Sequence, residues 1–446
     1  VANQSVTATN ADNETAGFTL STTSVSVTEA GGTDTFTVVL DTEPAGDVVI
    51  RSSSSDSGEA QVGAPLTFTS SNWDTPQTFT ITGVDDSIDD GDQQATFTVE
   101  VKDDESHDAY DDVANQSVTA TTTDDDTVGF TLSTTTVSVT EAGGQDTFTV
   151  VLDTQPASPV VIWSASSDSG EAQVGGGAGI GLTFTSLNWA TPQTFTITGI
   201  DDSIADGDQQ ATFTVGVLDA SSDDAYDDVA NQTVTATNTD NETAGITATL
   251  SGFSNNVAES GTTDTIQVAI TTEPSSEVVL SISSADTGEV TVSPSTLTFT
   301  PSNWVIGHTL TVTGVDDDVD DGDIAVNVTI SVVDASSDDD YDDVANQTVT
   351  VTNADDDTVG FTLSTTTVSV TEAGGTDTFT VELTTQPVSD VVISVSSADL
   401  GEVAVSSTEL TFTSSSWDDA QTVTVSAVND DVDDGTQSAT VTVSVF

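Results

Sequence analysis

The stretch VSVTEAGGTDTFTVVL, residues 25–40, alternates β-branched or aromatic residues with Thr and Ser on both sides of a glycine turn. Such alternation is typical of half-buried β-strands joined by a tight connection. Further segments of the same kind follow: DVVIRSSS from Asp47, PLTFTS from Pro65, QTFTITGV from Gln77 and QQATFTVEV from Gln93. We therefore predict an all-β fold with almost no helix.

The strand pattern recurs four times along the chain. Its LTFT segments lead to tryptophans that stand 116, 115 and 113 residues apart, at Trp73, Trp189, Trp304 and Trp417. This period is too long for a solenoid repeat and long enough for a domain with its own core. About seven strands per period predict a tandem array of immunoglobulin-like antiparallel β-sandwiches, in which these tryptophans pack at a core or a domain edge.

The segment VANQSVTATN marks the repeat boundaries. It occurs at residues 1–10 and returns, slightly varied, at 113–122, 229–238 and 344–353. If it is the closing strand of each sandwich, residues 1–12 are an orphan closing strand. The sandwiches then span residues 13–123, 124–239, 240–354 and 355–446, and the last of these has no closing strand.

The orphan closing strand at residues 1–12 and the fourth sandwich, which has no closing strand, are complementary. We expect the strand carrying Val1, Ala2, Val6 and Ala8 to insert into the fourth sandwich of another chain. Head-to-tail contacts of this type do not close on themselves, so they generate a filament. The other interpretation is that the 446 residues are a window from one longer covalent array.

The charge of the chain is almost entirely negative. Its 75 Asp and Glu residues are opposed only by Arg51 and Lys102, a formal net charge of −73. Nucleic acids and anionic membranes are excluded as partners because they require cationic side chains, and no stretch is apolar enough to insert into a membrane. Cations are the expected partners, although adaptation to high salt would also produce an acidic chain.

The carboxylates are grouped at corresponding positions of each repeat. Cation binding would relieve their mutual repulsion, and calcium suits a carboxylate-rich site that has neither Cys nor neighbouring His. No loop has the EF-hand spacing, and simple solvated loops remain the alternative. The candidate ligands of the first repeat are Glu29, Asp56, Glu59, Asp85, Asp86, Asp89, Asp90, Asp124, Asp125 and Asp126.

The order of a strand ending in VTE, a strand LTF, a VDD acidic loop and a closing strand followed by N-x-D or DDD resembles the Calx-beta family. It is also similar to related calcium-binding repeats of bacterial and archaeal extracellular surface proteins. The resemblance implies that the first glutamate, the acidic loop and the terminal aspartates bind calcium at one end of each sandwich. The implied ligands are Glu29, Asp85, Asp86 and Asp124 to Asp126; Glu141, Asp201, Asp202 and Asp240; Glu259, Asp316, Asp317, Asp355, Asp356 and Asp357; and Glu372, Asp430 and Asp431.

Two departures from the family pattern suggest that calcium occupancy differs between repeats. A DSGE-type segment replaces the usual family signature before the LTF strand, and Ala205 stands where the first repeat has Asp89. The second repeat also deviates at Trp163 and at its GGGAGIG insertion, residues 175–181.

Catalysis has little support in the sequence. The two histidines, His107 and His308, occupy unrelated positions, and paired carboxylates are uninformative in so acidic a chain. We therefore expect a protein that is not an enzyme. Four closing-strand asparagines lie in N-x-S/T triplets and are possible glycosylation sites: Asn3, Asn115, Asn231 and Asn346.

Taken together, these features predict a structural subunit of an extracellular filament or surface fibre. It would assemble head to tail with copies of itself and be rigidified by calcium at the domain junctions. The alternative is a segment of a giant repetitive adhesin, a stalk or glycan-binding module with the same fold in one covalent chain. Glycans or neighbouring cells would then be further partners.

Overall fold

The computed structural model describes residues 3–177, 179–251, 255–433 and 435–446. Its contacts divide the chain into two units. The first contains residues up to 201 together with 208–239, and the second contains 202–207 together with residues from 240 onward.

The first unit consists of two repeats, each with nine strands. The strands of the first repeat are β1 Phe18–Leu20, β2 Ser24–Thr28, β3 Thr33–Leu40, β4 Val48–Ser54, β5 Ala60–Val62, β6 Leu66–Phe68, β7 Gln77–Gly83, β8 Gln93–Val101 and β9 Gln116–Thr123. Those of the second are β10 Phe130–Leu132, β11 Thr136–Thr140, β12 Gln145–Leu152, β13 Val160–Ser166, β14 Ala172–Val174, β15 Gly179–Phe184, β16 Gln193–Gly199, β17 Gln209–Val217 and β18 Gln232–Thr239.

The second unit repeats this order, with fewer strands in its last part. The third repeat contains β19 Ile246–Leu250, β20 Asn256–Ala258, β21 Thr263–Ile270, β22 Val278–Ser284, β23 Val290–Ser293, β24 Thr296–Phe299, β25 His308–Gly314, β26 Ile324–Val332 and β27 Gln347–Ala354. The fourth contains β28 Phe361–Leu363, β29 Thr376–Leu383, β30 Val391–Ser397, β31 Val403–Val405, β32 Glu409–Phe412, β33 Gln421–Ala427 and β34 Val441–Val445.

Each of the first three repeats is a sandwich of a four-stranded and a five-stranded sheet. In the first repeat the orders are β1-β3-β7-β5 and β2-β9-β8-β4-β6. Every pair is antiparallel except β2 and β9, which run parallel. The predicted antiparallel sandwich therefore has one parallel pair at a sheet edge, because β2 leaves the sheet of β1 and joins the opposite one.

The alternation of the sequence places one face of each strand in a core. Phe36 on β3 lies opposite Phe79 on β7, with ring centroids 5.3 Å apart, and both rings are buried. Four hydrophobic clusters follow one another along the chain, and Trp73, Trp189, Trp304 and Trp417 pack against their edges. The all-β fold and the tandem immunoglobulin-like sandwiches are confirmed.

A buried tyrosine precedes each closing strand of the first three repeats. The described residues contain only short 3₁₀ helices: Asp103–Glu105, Asp108–Tyr110, Asp219–Ser221, Asp224–Tyr226, Asp334–Ser336 and Asp339–Tyr341. The hydroxyl of Tyr226 donates to the carbonyl oxygen of Thr154 at 2.7 Å, and Tyr110 and Tyr341 make the same bond. These bonds fix the chain where it enters the closing strand.

The fourth repeat has an incomplete second sheet. It contains three strands in the order β32-β30-β34, and residues 367–371, which correspond to β2, are not in a strand. β34 therefore lies at the sheet edge with Val445 exposed. A cavity of about 310 Å³ opens beside it, lined by residues that include Leu363, Phe379 and Val443.

Residues 3–17 are not in any strand and are mostly exposed. Val6 is 94% exposed, and Ala8 is also exposed. Val1 and Ala2 lie outside the described residues. No helix among the described residues is long and apolar enough to span a membrane.

Candidate metal centre

Four connections of the first repeat bring their carboxylates to one end of the sandwich. Glu29 directly follows β2, Glu59 precedes β5, and Asp86 follows β7. Asp124 and Asp126 come after β9, which runs parallel to β2 and so ends on the same side. The topology therefore gathers residues that are up to 97 positions apart in the sequence.

Glu29 is the centre of this group. Its side chain is only 1% exposed. One carboxylate oxygen each of Glu29, Asp124 and Asp126 lies within 4.8 Å of the others, and the same holds for Glu29, Glu59 and Asp86. The two groups share Glu29, and their five carboxylates together have enough oxygen atoms for the six to eight ligands that calcium takes.

Two oxygen atoms in the group are buried and make no hydrogen bond, Oε2 of Glu29 and Oε2 of Glu59. Burial, together with the nearby charges of Asp124 and Asp86, raises the pKa of Glu29 to about 7. Burial is also the main cause of the raised pKa values of Glu59 and Asp126. Carboxylates in this situation are stabilised in the ionised form by a bound cation.

Backbone hydrogen bonds orient the aspartates of the group. Asp124 accepts from the amide of Gly91 at 2.7 Å and from the amide of Asp126 at 2.9 Å. Asp86 accepts from the amide of Ile88 at 2.8 Å. Gly91 has a φ of 74°, so the acidic loop uses glycine where it turns toward Asp124.

The third repeat has a second group of this kind. Glu259 is 1% exposed, and its carboxylate lies within 4.8 Å of those of Asp356 and Asp357. Burial raises the pKa of Glu259 to about 7, with contributions from Asp317 and Asp355. The same sequence positions therefore produce the same chemistry in both units.

The acidic loop also contacts the following repeat. In the first unit, the carbonyl oxygen of Ser87 accepts from the amide of Gln155 at 2.7 Å, and Asp89 accepts from the amide of Val128 at 2.9 Å. In the second unit, Asp318 and Asp320 make the equivalent bonds to Gln386 at 2.6 Å and Val359 at 2.8 Å. A cation held by this loop would stiffen these junctions.

The other predicted ligands of the first repeat lie around the group. Asp56 is exposed and accepts from the amide of Gly58 at 3.0 Å, which shapes the loop that carries Glu59. Asp85, Asp90 and Asp125 are exposed. Their part in binding an ion stays a prediction.

In the second repeat, Glu141 is 1% exposed and Asp201 is exposed. Asp202 accepts from the amide of Ile204 at 2.7 Å, and Asp240 accepts from the amide of Gly207 at 2.7 Å. The local geometry of the acidic loop is therefore kept although Ala205 replaces an aspartate.

The fourth repeat does not form a comparable group among its described residues. Glu372, Asp430 and Asp431 are all exposed, as is Asp316 of the third repeat. Asp430 nevertheless accepts from the amide of Val432 at 2.9 Å, as Asp86 does from Ile88.

Sequence reasoning overlooked two side chains that belong to the site of the third repeat. Glu289 is 9% exposed, and its Oε2 accepts from Nδ2 of the buried Asn353 at 3.2 Å. Glu289 occupies the position of Glu59 in the repeat, so alignment of the repeats would have identified it. Asn353 carries no charge and lies in a closing strand, so only its contact shows its role.

The four candidate glycosylation asparagines, Asn3, Asn115, Asn231 and Asn346, are all exposed. His308 is partly buried and packs edge-on against Phe299 with ring centroids 4.6 Å apart. This contact on β25 indicates that His308 is a packing residue of the sandwich.

The fold and the clustered carboxylates define a tandem array of β-sandwiches with candidate cation sites at their strand ends. Three segments match the Calx-beta domain, residues 11–126, 123–243 and 354–445. They cover more than half of the sequence, and the chain belongs to the Calx-beta domain family. None of the curated proteins matches the chain.

Several solved structures are similar to parts of the chain. CBD12 from CALX1.2 is 16% identical, with 45% of this chain and 79% of that chain covered and a TM-score of 0.21. Domains 4–9 of the surface layer protein SbsC are 14% identical, with 94% and 64% covered and a TM-score of 0.21. The titin I-band fragment I67–I69 is 10% identical, with 77% and 96% covered and a TM-score of 0.24.

Proposed function

We propose that this Calx-beta protein is a structural subunit of an extracellular filament or surface fibre, with calcium at its domain junctions. The observation that carries the proposal is the buried group around Glu29, beside an acidic loop that also contacts the next repeat. A cation there would neutralise the group and hold the loop against its neighbour. The family resemblance favours calcium as that cation.

Strand donation is the proposed mode of assembly. In the first repeat, the closing strand buries a valine and an alanine: Val118 and Ala120 on β9 are 0% exposed. Val6 and Ala8 occupy the same positions of the repeated segment but are exposed. Transfer of these side chains into the groove of a fourth repeat would bury about the same apolar surface as β9 buries.

The pairing register follows from the complete repeats. Phe97 on β8 faces Val118 on β9. The corresponding residue of β34 is Val441, so Val6 of the donating copy would lie opposite Val441. The donated strand would also offer residues 367–371 the parallel partner that β2 has in β9.

The first experiment is sedimentation and electron microscopy of the purified full chain with calcium or with chelator. We expect filaments with calcium, and shorter or dissociated assemblies after chelation. Val6→Asp should abolish assembly because it places a charge in the core of the groove. The control is Ser5→Asp, which adds the same charge at a position that is exposed in β9. Equal assembly by both variants would contradict strand donation.

The second candidate function is a segment of a giant adhesin in one covalent chain. Trp163 favours a glycan-binding role because it is partly exposed and pairs with glycines on both adjacent strands, Gly181 and Gly216. The mass of the native material after full denaturation distinguishes the filament subunit from the adhesin segment. A mass near 45.5 kDa, apart from attached glycan, indicates discrete subunits, and a mass several times larger indicates the adhesin.

A further inference from the structure

We infer that Asn231 carries a glycan whose first sugar packs on Trp163. Both residues lie on the outer face of the five-stranded sheet of the second repeat, because Ile162 and Ser164, on either side of Trp163, point inward and are 0% exposed. The inference goes beyond the proposed filament and does not depend on it. It also differs from the glycan-binding role considered for an adhesin, because the sugar that Trp163 contacts belongs to the chain itself.

Two departures of the second repeat from its neighbours meet at Trp163. The residue lies opposite Gly216 of β17 on one side and opposite Gly181 of β15 on the other. Gly181 belongs to the GGGAGIG insertion, which lengthens β15 to six residues, whereas β6 has three. In the first repeat the pairing of β4 with β6 ends at Ile50, one residue before Arg51. The insertion therefore gives Trp163 a neighbouring strand that Arg51 lacks.

The indole ring of Trp163 extends over Gly216. Its Nε1 donates to the carbonyl oxygen of Val217 at 3.2 Å, and a Cβ atom at Gly216 would lie 3.4 Å from that nitrogen. Gly216 is buried, and Trp163 remains partly exposed. The other repeats have side chains where Gly216 has none: Glu100, Ser331 and Ser444. The glycine thus leaves room beside the ring.

The side-chain amide of Asn231 lies over the same glycine. The atom nearest to a Cβ at Gly216 would be Oδ1 of Asn231, with Cγ at 2.9 Å and Trp163 Nε1 at 3.4 Å. Nδ2 is no closer than 3.4 Å to that point, so the amide turns its oxygen toward the sheet and its nitrogen away from it. The nitrogen that would carry a sugar is therefore directed outward, beside the indole.

The residues around Asn231 are those of an attachment site. Asn231, Gln232 and Thr233 form an N-x-T triplet, and Asn231 is exposed. The corresponding triplets of the neighbouring repeats have other surroundings. Nδ2 of Asn115 donates to Oε2 of Glu100 at 3.0 Å, so a sugar there would lie against a carboxylate.

The triplet of the third repeat has no aromatic neighbour at this place. Asn346 starts that triplet, and Ser281 stands at the position of Trp163. Ser281 is bonded to Ser331 on the adjacent strand, with 2.8 Å between the two hydroxyl oxygens. Among the three closing strands paired within a sheet, the second alone combines the triplet with an indole ring.

Attachment requires no redox chemistry. Nδ2 of Asn231 bonds to the anomeric carbon of the sugar and loses one proton, and the diphosphate of a lipid-linked glycan donor leaves. A separate transferase catalyses this step. One face of a pyranose ring presents C–H groups, which would cover the exposed part of the Trp163 ring and remove apolar surface from water. The sugar hydroxyls would reach Thr214 and Thr233, which pair with each other next to Gly216 on the same face.

Glycopeptide mass spectrometry of native material tests the attachment. We expect a glycan on the peptide that contains Asn231. An unmodified Asn231 in native material would overturn the inference.

Thermal unfolding of the full chain tests the packing on Trp163. The chain is produced in a secretion host that modifies N-x-S/T triplets and in a host without glycosylation. The glycan should raise the melting temperature by about 2–4 °C. Trp163→Ala should lose most of this gain and Trp163→Phe should keep part of it, as in a double-mutant cycle between ring and sugar. Asn231→Gln should abolish the gain, and the matched control Asn115→Gln should leave it unchanged.

Two results would contradict the packing. One is an equal gain from the glycan in the native chain and in Trp163→Ala. The other is binding of the unmodified chain to a glycan array that Trp163→Ala abolishes, because Trp163 would then serve a foreign glycan, as in the adhesin. Neither result bears on the filament, which is tested by the assembly of Val6→Asp.

Discussion

The chemistry of the junction depends on single glutamates held among other carboxylates. Glu29 and Glu259 are each 1% exposed, and the pKa of each is raised to about 7, mainly by burial. The two cationic side chains of the sequence, Arg51 and Lys102, pair with Glu100 and Glu105 on the surface. Among the described residues, no cationic side chain therefore compensates the charge of these two glutamates.

This arrangement predicts the pH dependence of the metal-free chain. In the unfolded state both glutamates titrate near 4.5, and in the folded state near 7. Between these values the folded state binds protons that the unfolded state has released, so stability falls as pH rises. The loss should approach about 3 kcal/mol per site, since one pKa unit corresponds to ~1.4 kcal/mol. Thermal unfolding in chelator from pH 4.5 to 7.5 measures it.

Two controls accompany this measurement. Calcium requires ionised carboxylates, so saturating calcium should abolish the fall in stability as pH rises. The Glu29→Gln/Glu259→Gln variant should show a weaker pH dependence in chelator than the native chain. A melting temperature that stays constant in chelator across this pH range would show that the glutamates are not held as described.

At the scale of the strands, the site depends on the close approach of β2 and β7. A Cβ atom at Gly83, the last residue of β7, would lie 2.1 Å from the carbonyl oxygen of Thr28, the last residue of β2. Gly199 and Gly314 have the same constraint in the next two repeats. The fourth repeat has Ala427 at this position, and its residues 367–371, which correspond to β2, are not in a strand.

Gly83→Ala should therefore destabilise the first repeat by about 2–3 kcal/mol, because the methyl group must displace β2. It should also weaken calcium binding there, since Glu29 directly follows Thr28. Gly63→Ala is the matched control, because a Cβ at Gly63 meets no atom within 4 Å. Thermal unfolding and calcium titration of both full-length variants measure the difference. Equal behaviour would contradict the close packing of β2 on β7.

At the scale of the whole molecule, the net charge of −73 opposes folding through self-repulsion. Monovalent salt screens this repulsion without occupying sites. Calcium at the junctions would instead act at low concentration and saturate. A comparison of the two effects therefore distinguishes specific cation sites from a general adaptation to salt.

We predict that the melting temperature of the chelated chain rises gradually with sodium chloride. Calcium added at constant ionic strength should produce a larger rise that saturates once the sites are filled. Differential scanning calorimetry over both titrations provides the comparison. If calcium has no more effect than sodium chloride at equal ionic strength, the carboxylates are solvated loops and not binding sites.

The fold class follows from local patterns that any single repeat contains. Alternation in segments such as residues 25–40 predicts strands, because the side-chain period of a strand is two residues, and the spacing of the tryptophans predicts the domain-sized period. The acidic segments could also be found in advance, because each consists of neighbouring residues. The boundaries of the four repeats stay a prediction.

The parallel pairing of β2 with β9 could not be predicted from local patterns, and the meeting of Glu29 with Asp124 was expected only from the family resemblance. Both join residues about 95 positions apart, and no local pattern specifies which strand ends lie side by side. The role of Asn353 was hidden for the same reason, since an uncharged residue in a strand has no signal until its partner Glu289 is placed beside it. Local sequence thus accounts for the strands, whereas long-range packing selects which carboxylates share one site.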